Sequence, residues 1–174
     1  MRTSATERAA GTNDGRWIRC TAESYHAPVI LDDPKRISAL LSRTRRIAVL
    51  GIKTEAQSDQ PAFYVPQYLA RAGLEVIPVP VYYPEATTIL GQPVYRTLAS
   101  IPGDIDLVDV FRRPTDLDAH LDDILAKKPK AVWLQLGIRN DAFAAKLAAA
   151  GIDVVQDRCL MVDHRAHVAN ASSR

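Results

Sequence analysis

The sequence predicts a single α/β domain built on a parallel sheet of about five strands. Three observations predict it. Five apolar, strand-length runs, IAVLGI (47–52), VIPVPV (76–81), LVDVF (107–111), AVWLQLG (131–137) and DVVQDRCLMV (153–162), alternate with helical patterns, and that alternation implies parallel strands joined by crossovers. Residues 131–136 are too apolar for a strand with one wet face, so they read as buried on both sides. A chain of 174 residues that is 47% hydrophobic can fill one sizeable core but not comfortably two.

The elements follow in order. Residues 1–30 are assigned to a flexible N-terminal arm, the first sixteen being polar and unpatterned; 31–168 form the domain and 169–174 a short tail. Asp33 before Pro34 marks a helix start, since Asp can cap and Pro suits the first helical position. Ile37, Leu40 and Leu41 give that helix its apolar face. Val65, Tyr68, Leu69 and Ala72 fall at i, i+3, i+4 and i+7, with Gly73 as terminator. Pro66 must lie in the first turn or kink this helix, so the start is placed near Phe63, with Pro61 as an earlier opening. Leu117, Leu121, Ile124 and Leu125 form the next buried stripe, capped by Thr115 or Asp116. The acids Asp116, Asp118, Asp122 and Asp123 read as its solvated face. Asn140 caps the last crossover helix and Gly151 ends it; its alanines permit close packing on the sheet.

Composition excludes several classes. With 22 basic and 20 acidic residues the net charge is only +2, which argues against a general nucleic-acid footprint. The two cysteines, Cys20 and Cys159, share no metal or redox spacing, and a reduced, cytoplasmic compartment is the default expectation. No run has the length of a signal-peptide core or membrane span.

Ligands of parallel sheets collect at the carboxyl ends of the strands. Those ends present Gly51, Ile52 and Lys53; then Val81, Tyr82 and Tyr83; then Phe111, Arg112 and Arg113; then Gln135, Gly137 and Arg139; then Arg158 and Cys159. Cations, aromatic rings and backbone amides thus meet along one edge, as an adenine-containing polyphosphate requires. Arg45 and Arg46 precede the first strand and belong to the opposite end. GIKTEAQ lacks the second and third glycines of GxGxxG, and the second strand ends without the acid that binds a ribose diol. An NAD(P)-binding oxidoreductase or regulatory domain is therefore the alternative. The loop from Lys53 to Gln60 leads to a helix N-terminus able to receive a diphosphate, although Asp59 is a candidate to cap that helix and repel an anion. Cys159 reads first as a packed thiol, His164 as unassigned to it, and His120 as a helix-boundary residue. Tyr95 and Trp133 read as packing residues. No nucleophile, paired-carboxylate or metal motif stands out, so no catalytic residue and no metal ligand is assigned.

The ordered segments IAVLGIK, YVPQYLARAGLEVIPV, LGQPVYRTLASIP, DLVDVFRRP, AVWLQLGIRN and AGIDVVQDRCLMVDHR resemble the stand-alone family of small CoA-binding domain proteins, related in fold to the CoA-binding N-terminal domain of the succinyl-CoA synthetase alpha subunit. The resemblance implies a Rossmann-like, doubly wound sheet and non-covalent binding of coenzyme A or an acyl-CoA, in a sensing, carrier or accessory role. It implies that Gly51, Ile52 and Lys53 form the turn beside the phosphates, Pro78 and Val79 the second-strand wall, and Phe111, Arg112 and Arg113 the next corner. Gln135, Gly137 and Ile138 would line the following turn, and Arg158 with Cys159 the last. The pantetheine arm would pass Phe111 and Ile138. Pro80 stands where the family commonly has Asn, and residues 81–89 look rearranged, which displaces the expected adenine contacts. The chain lacks the synthetase's second domain and an ATP-grasp partner sequence, so ligase activity alone is not expected. A homo-oligomer or a partner enzyme is a further expectation.

Overall fold

The computed structural model describes residues 29–173, so most of the assigned N-terminal arm lies outside the described residues. Six parallel strands form the main sheet in the spatial order β1-β8-β7-β6-β2-β3. They are β1 (Ile30–Leu31), β2 (Arg46–Leu50), β3 (Glu75–Val79), β6 (Leu107–Val110), β7 (Ala131–Leu134) and β8 (Asp153–Val155). A separate antiparallel hairpin, β4 (Thr88–Ile89) and β5 (Gln92–Pro93), lies between β3 and β6 in the chain. The sixth strand is β1, a two-residue edge element beside β8.

Helices cover both faces, as expected for a Rossmann-like, doubly wound sheet. On one side α1 (Pro34–Arg43), α2 (Pro61–Arg71) and α5 (Leu160–Ser172) bury Ile37, Leu40, Phe63, Val65, Leu69 and Leu160 against Ile47, Val49, Leu107 and Trp133. On the other, α3 (Leu121–Lys127) and α4 (Asp141–Ala149) bury Ile124, Phe143 and Leu147 against Ala48, Leu50, Val108, Val110 and Val132. Leu98, Ile101 and Ile105 complete that second layer. The alternation of β2 side chains between the two clusters follows from the period of two in a strand. From β2 the chain first goes to β3 on one side and later returns to β6 on the other. The order in which strands are added reverses there, and a crevice opens at the carboxyl ends of β2 and β6.

Local chemistry accounts for the boundaries. Asp33 accepts from the Lys35 amide and Pro34 opens α1. Asn140 Oδ1 accepts from the Phe143 amide at 3.0 Å, capping α4, and Gly151 follows it at φ +89°. Several boundaries differ from expectation. Leu117 lies in a 3-10 helix over Pro114–His120 that neither Thr115 nor Asp116 caps, and α3 itself starts only at Leu121. α2 opens at Pro61, which leaves Pro66 inside the helix and buried. The last apolar run is divided: β8 ends at Val155 and α5 begins at Leu160. Asp157 turns the chain between them at φ +54°, and its carboxylate accepts from the Gly137 amide at 2.6 Å. Residues 169–172, assigned to the tail, form the last turn of α5.

The acids after β6 are more than a solvated face. Asp123 accepts from the Leu98 and Ala99 amides at 2.7 and 3.0 Å, Asp118 pairs with Lys146, and Asp116 pairs with Arg112 and Arg113.

Candidate ligand-binding site at the carboxyl edge of the sheet

The crevice begins at Gly51. Its amide donates to the Val79 carbonyl at 2.8 Å, and the Phe111 amide donates to the Leu50 carbonyl at 2.9 Å, so the ends of β3, β2 and β6 leave the sheet locked side by side. Gly51 has φ +88°, and a Cβ there would meet the Phe111 carbonyl oxygen at 2.5 Å. Only glycine fits both requirements.

The next turn is fixed by a proline. Pro66 has no N–H, so the Ala62 carbonyl one turn earlier lacks its helical donor. The Lys53 amide supplies the donor at 3.0 Å. Among the described residues no side chain caps α2, and Asp59 is exposed; it is not the cap considered above. The start of α2 therefore faces the crevice with its positive dipole end uncovered.

Two cavities flank this turn. The larger, about 470 Å³, lies between the start of α2 (Gln60, Pro61, Ala62, Tyr64, Val65), the end of β6 (Phe111, Arg112, Arg113, Pro114) and the end of β7 (Gln135, Leu136, Gly137, Ile138), with Cys159 completing the wall. The second, about 290 Å³, is formed by Leu50, Val79, Pro80, Val81, Tyr82, Pro84, Arg96, His120 and Asp123. Tyr82 joins them. Its ring lies 5.4 Å from Lys53 Nζ and 5.3 Å from the Arg112 guanidinium carbon, while Lys53 Nζ is also 5.5 Å from the Tyr83 ring. A hydrogen bond with Arg112 pulls the Tyr82 phenol below its ordinary pKa.

Electrostatics distinguish the cations. Arg112 is paired with Asp116 at 3.2 Å yet keeps a buried Nε with no hydrogen-bond partner among the described residues. Arg113 holds the same Asp116 at 3.0 Å and is largely exposed; its hydrogen bond depresses the Asp116 pKa. Arg158 differs. Its Nε donates to Asp163 at 2.9 Å, its carbonyl accepts from Trp133 Nε1, and it is not part of the large cavity's wall.

The remaining sequence-derived residues divide between wall and frame. Phe111, Arg112, Arg113, Gln135, Gly137, Ile138 and Cys159 come together around the large cavity, and Val79 faces the second. Ile52 is only 1% exposed, in the core beneath α2. Pro78 lies in the edge strand β3 and offers its carbonyl to the Tyr95 amide, away from both cavities. Trp133 is fully buried in the cluster beneath α1, α2 and α5, whereas Tyr95, partly buried, packs against the cluster on the opposite face of the sheet. His164 Nδ1 meets the Tyr68 hydroxyl at 3.1 Å. His120 lies beside the second cavity, its pKa lowered by burial and then by Arg112.

Three features escaped the sequence reading. Arg96 clamps the segment after β3, donating to the carbonyls of Tyr83, Pro84 and Ala86, and holds Tyr83 at φ +65°. Leu136, 70% exposed, stands on the rim. Asp109 lies buried behind Gln135. Among the described residues no group of His, Cys, Asp or Glu could hold a metal ion, and no helix is long and apolar enough to cross a membrane.

The model of the CoA binding domain family matches residues 45–165, from the start of β2 to the middle of α5. The chain belongs to the CoA binding domain family. The Bacillus subtilis (strain 168) protein YneT, described as uncharacterized, is 34% identical over 128 residues, covering 74% of this chain and 91% of YneT. A solved structure from Thermus thermophilus, cell-free ID.343, is 40% identical with a TM-score of 0.71, covering 78% of this chain and 99% of that one. A hypothetical protein from Pyrococcus horikoshii OT3 is 29% identical, also at a TM-score of 0.71, over 82% of this chain and 97% of its own. Every segment of the CoA binding domain that builds the crevice, from Gly51 to Cys159, lies inside the matched range.

Proposed function

We propose that this domain binds coenzyme A or an acyl-CoA non-covalently at the carboxyl edge, as a small sensing or carrier module. The observation that carries the reading is the convergence of Lys53 and Arg112 on the Tyr82 ring, beside a roomy cavity whose wall includes Phe111, Val65, Leu136 and Ile138. Cations and the uncapped start of α2 suit the diphosphate and 3′-phosphate. The cavity suits the pantetheine arm, whose apolar body needs burial and few polar contacts. Family membership supports the same ligand. Gly51, Lys53, Phe111, Arg112, Arg113, Gln135, Gly137, Ile138 and Cys159 are the contact residues in this reading. Pro78 and Ile52 support them from the frame, Val79 reaches only the second cavity, and Arg158 orders the start of α5 through Asp163. A cytoplasmic site of action and transfer of the ligand to a partner enzyme belong to the same proposal.

Thermal unfolding with CoA, dephospho-CoA and NADH tests it. A ligand at one hundred times its dissociation constant stabilises the fold by about 2.7 kcal/mol. CoA should raise the melting temperature most, and dephospho-CoA less. A shift with NADH alone would transfer the assignment to nicotinamide nucleotides.

A further inference from the structure

Among the described residues, Asp109 is the one acid inside a central strand. It pairs with Val49 of β2 and Trp133 of β7, is 0% exposed, and has one oxygen, Oδ2, without a hydrogen-bond partner among the described residues. Its other oxygen accepts from Gln135 Nε2 at 2.8 Å. Gln135 Oε1 in turn accepts from the Leu160 amide at 3.4 Å. The polarity of this chain is forced, because a backbone N–H can only donate. Gln135 must therefore turn its oxygen to Leu160 and its NH₂ to Asp109. Leu160 is the first residue of α5, directly after Cys159, and both Gln135 and Cys159 form the wall of the large cavity.

We propose that Asp109 is a positioning residue for this cavity: it orients the Gln135 carboxamide and, through it, the first turn of α5 that carries Cys159. The role assigned to the cavity's occupant rests on the CoA reading above; the placement of Cys159 does not. An unanchored Gln135 could flip and set its NH₂ against the Leu160 N–H, donor against donor. The chain tolerates a proton on Oδ2, since Oδ1 accepts in either state. Burial pushes this carboxyl up to about 7, partly offset by Gln135 and the Val110 amide. No charged side chain contributes to that shift. On this side of the sheet the titratable groups are Tyr68 of α2, Cys159 just before α5, and Asp163, His164 and His167 of α5, Asp163 being paired with Arg158 and His167 bonded to Ser38 of α1; α1 buries only apolar residues there. A polyanion seated at the crevice opposes a second negative charge in the core, so affinity should fall as pH rises through neutrality. His120, beside Arg112, adds a component of the same sign.

The test compares Asp109→Leu, Gln135→Leu and Asp109→Asn in a Cys20→Ser background, leaving Cys159 as the sole thiol. Alkylation of Cys159 by iodoacetamide, without ligand, should change several-fold and alike in the two leucine variants, and return towards wild type in Asp109→Asn, which keeps the acceptor. Calorimetry should find CoA bound about tenfold more weakly by Asp109→Leu, largely rescued in Asp109→Asn. That variant should also lose part of the pH dependence, leaving the His120 component. Unchanged alkylation in a folded Asp109→Leu protein overturns the inference; should that variant not fold, Gln135→Leu decides by the same readout. If wild type itself bound no CoA, the proposed function would fall while alkylation still judged Asp109.

Discussion

The amide of Lys53 donates to the carbonyl of Ala62, the acceptor that Pro66 leaves without a helical partner. A residue that ordinarily breaks helices thereby ties the first turn of the crevice to the start of α2. Pro66→Ala would supply a competing N–H to Ala62 and release the turn. The variant should be no less stable than wild type, because an interior proline costs a helix about 3 kcal/mol and the lost ring contacts offset only part of this. Its CoA affinity should nevertheless fall several-fold. Urea unfolding and calorimetry on the same sample separate the two effects.

Gly51→Ala would force a Cβ to within 2.5 Å of the Phe111 carbonyl at a φ of +88°. The strand ends would have to part. A loss of at least about 2 kcal/mol is expected, with CoA binding reduced beyond detection in whatever remains folded. Equal stability of the two proteins would show that the crevice has slack where none is expected.

Arg112→Ala should weaken CoA binding about tenfold or more, whereas Arg46→Ala should leave affinity within about twofold. Arg46 lies at the amino end of β2, bonded to Glu75 and to the carbonyls of Pro102 and Asp104, so its loss should appear in the melting temperature instead. Calorimetric losses of equal size for both would contradict the assignment of function to one end of the sheet.

Asp109 also predicts a pH dependence of stability. Its folded pKa, about 7, lies above the usual carboxylate range, so the native state holds a proton that the unfolded chain releases. This contribution is fully present below about pH 4 and is lost as pH rises to about 7, at up to about 1.4 kcal/mol per unit. Asp109→Asn lacks it. The stability of wild type minus that of Asp109→Asn should therefore fall between about pH 4 and about pH 7 and then level off. Acids with depressed pKa values, such as Asp106 and Asp116, act in the opposite sense but cancel in the difference. A difference that stays constant in urea melts across this range would show that Asp109 is ionised throughout.

The central strands were legible because burial on both faces makes them nearly continuous apolar runs, and parallel polarity then placed Lys53, Phe111 and Arg112 on one edge. The Asp33 and Asn140 caps announced themselves by residue type. Other features depend on distant partners. Nothing near Arg96 shows that three carbonyls will converge on it, and although Asp163 is only five residues from Arg158, the pair forms across a turn that the apolar run hides. The run 153–162 concealed a strand end and a helix start because both are apolar where they meet the core. β1 was missed because two residues give no period to read, and Asp109 because an isolated acid inside LVDVF carries no sign of its partner 26 residues away.

The two margins of the sheet are both blunt. Among the described residues β1 offers only two, and β3 carries Pro78, whose carbonyl is already taken by Tyr95. Neither rim gives a neighbouring molecule a long template for strand addition, which is how folded proteins resist growing into fibrils. Self-association of this protein should therefore proceed through its helical faces, and concentrated solutions should remain free of cross-β aggregate while the native fold persists.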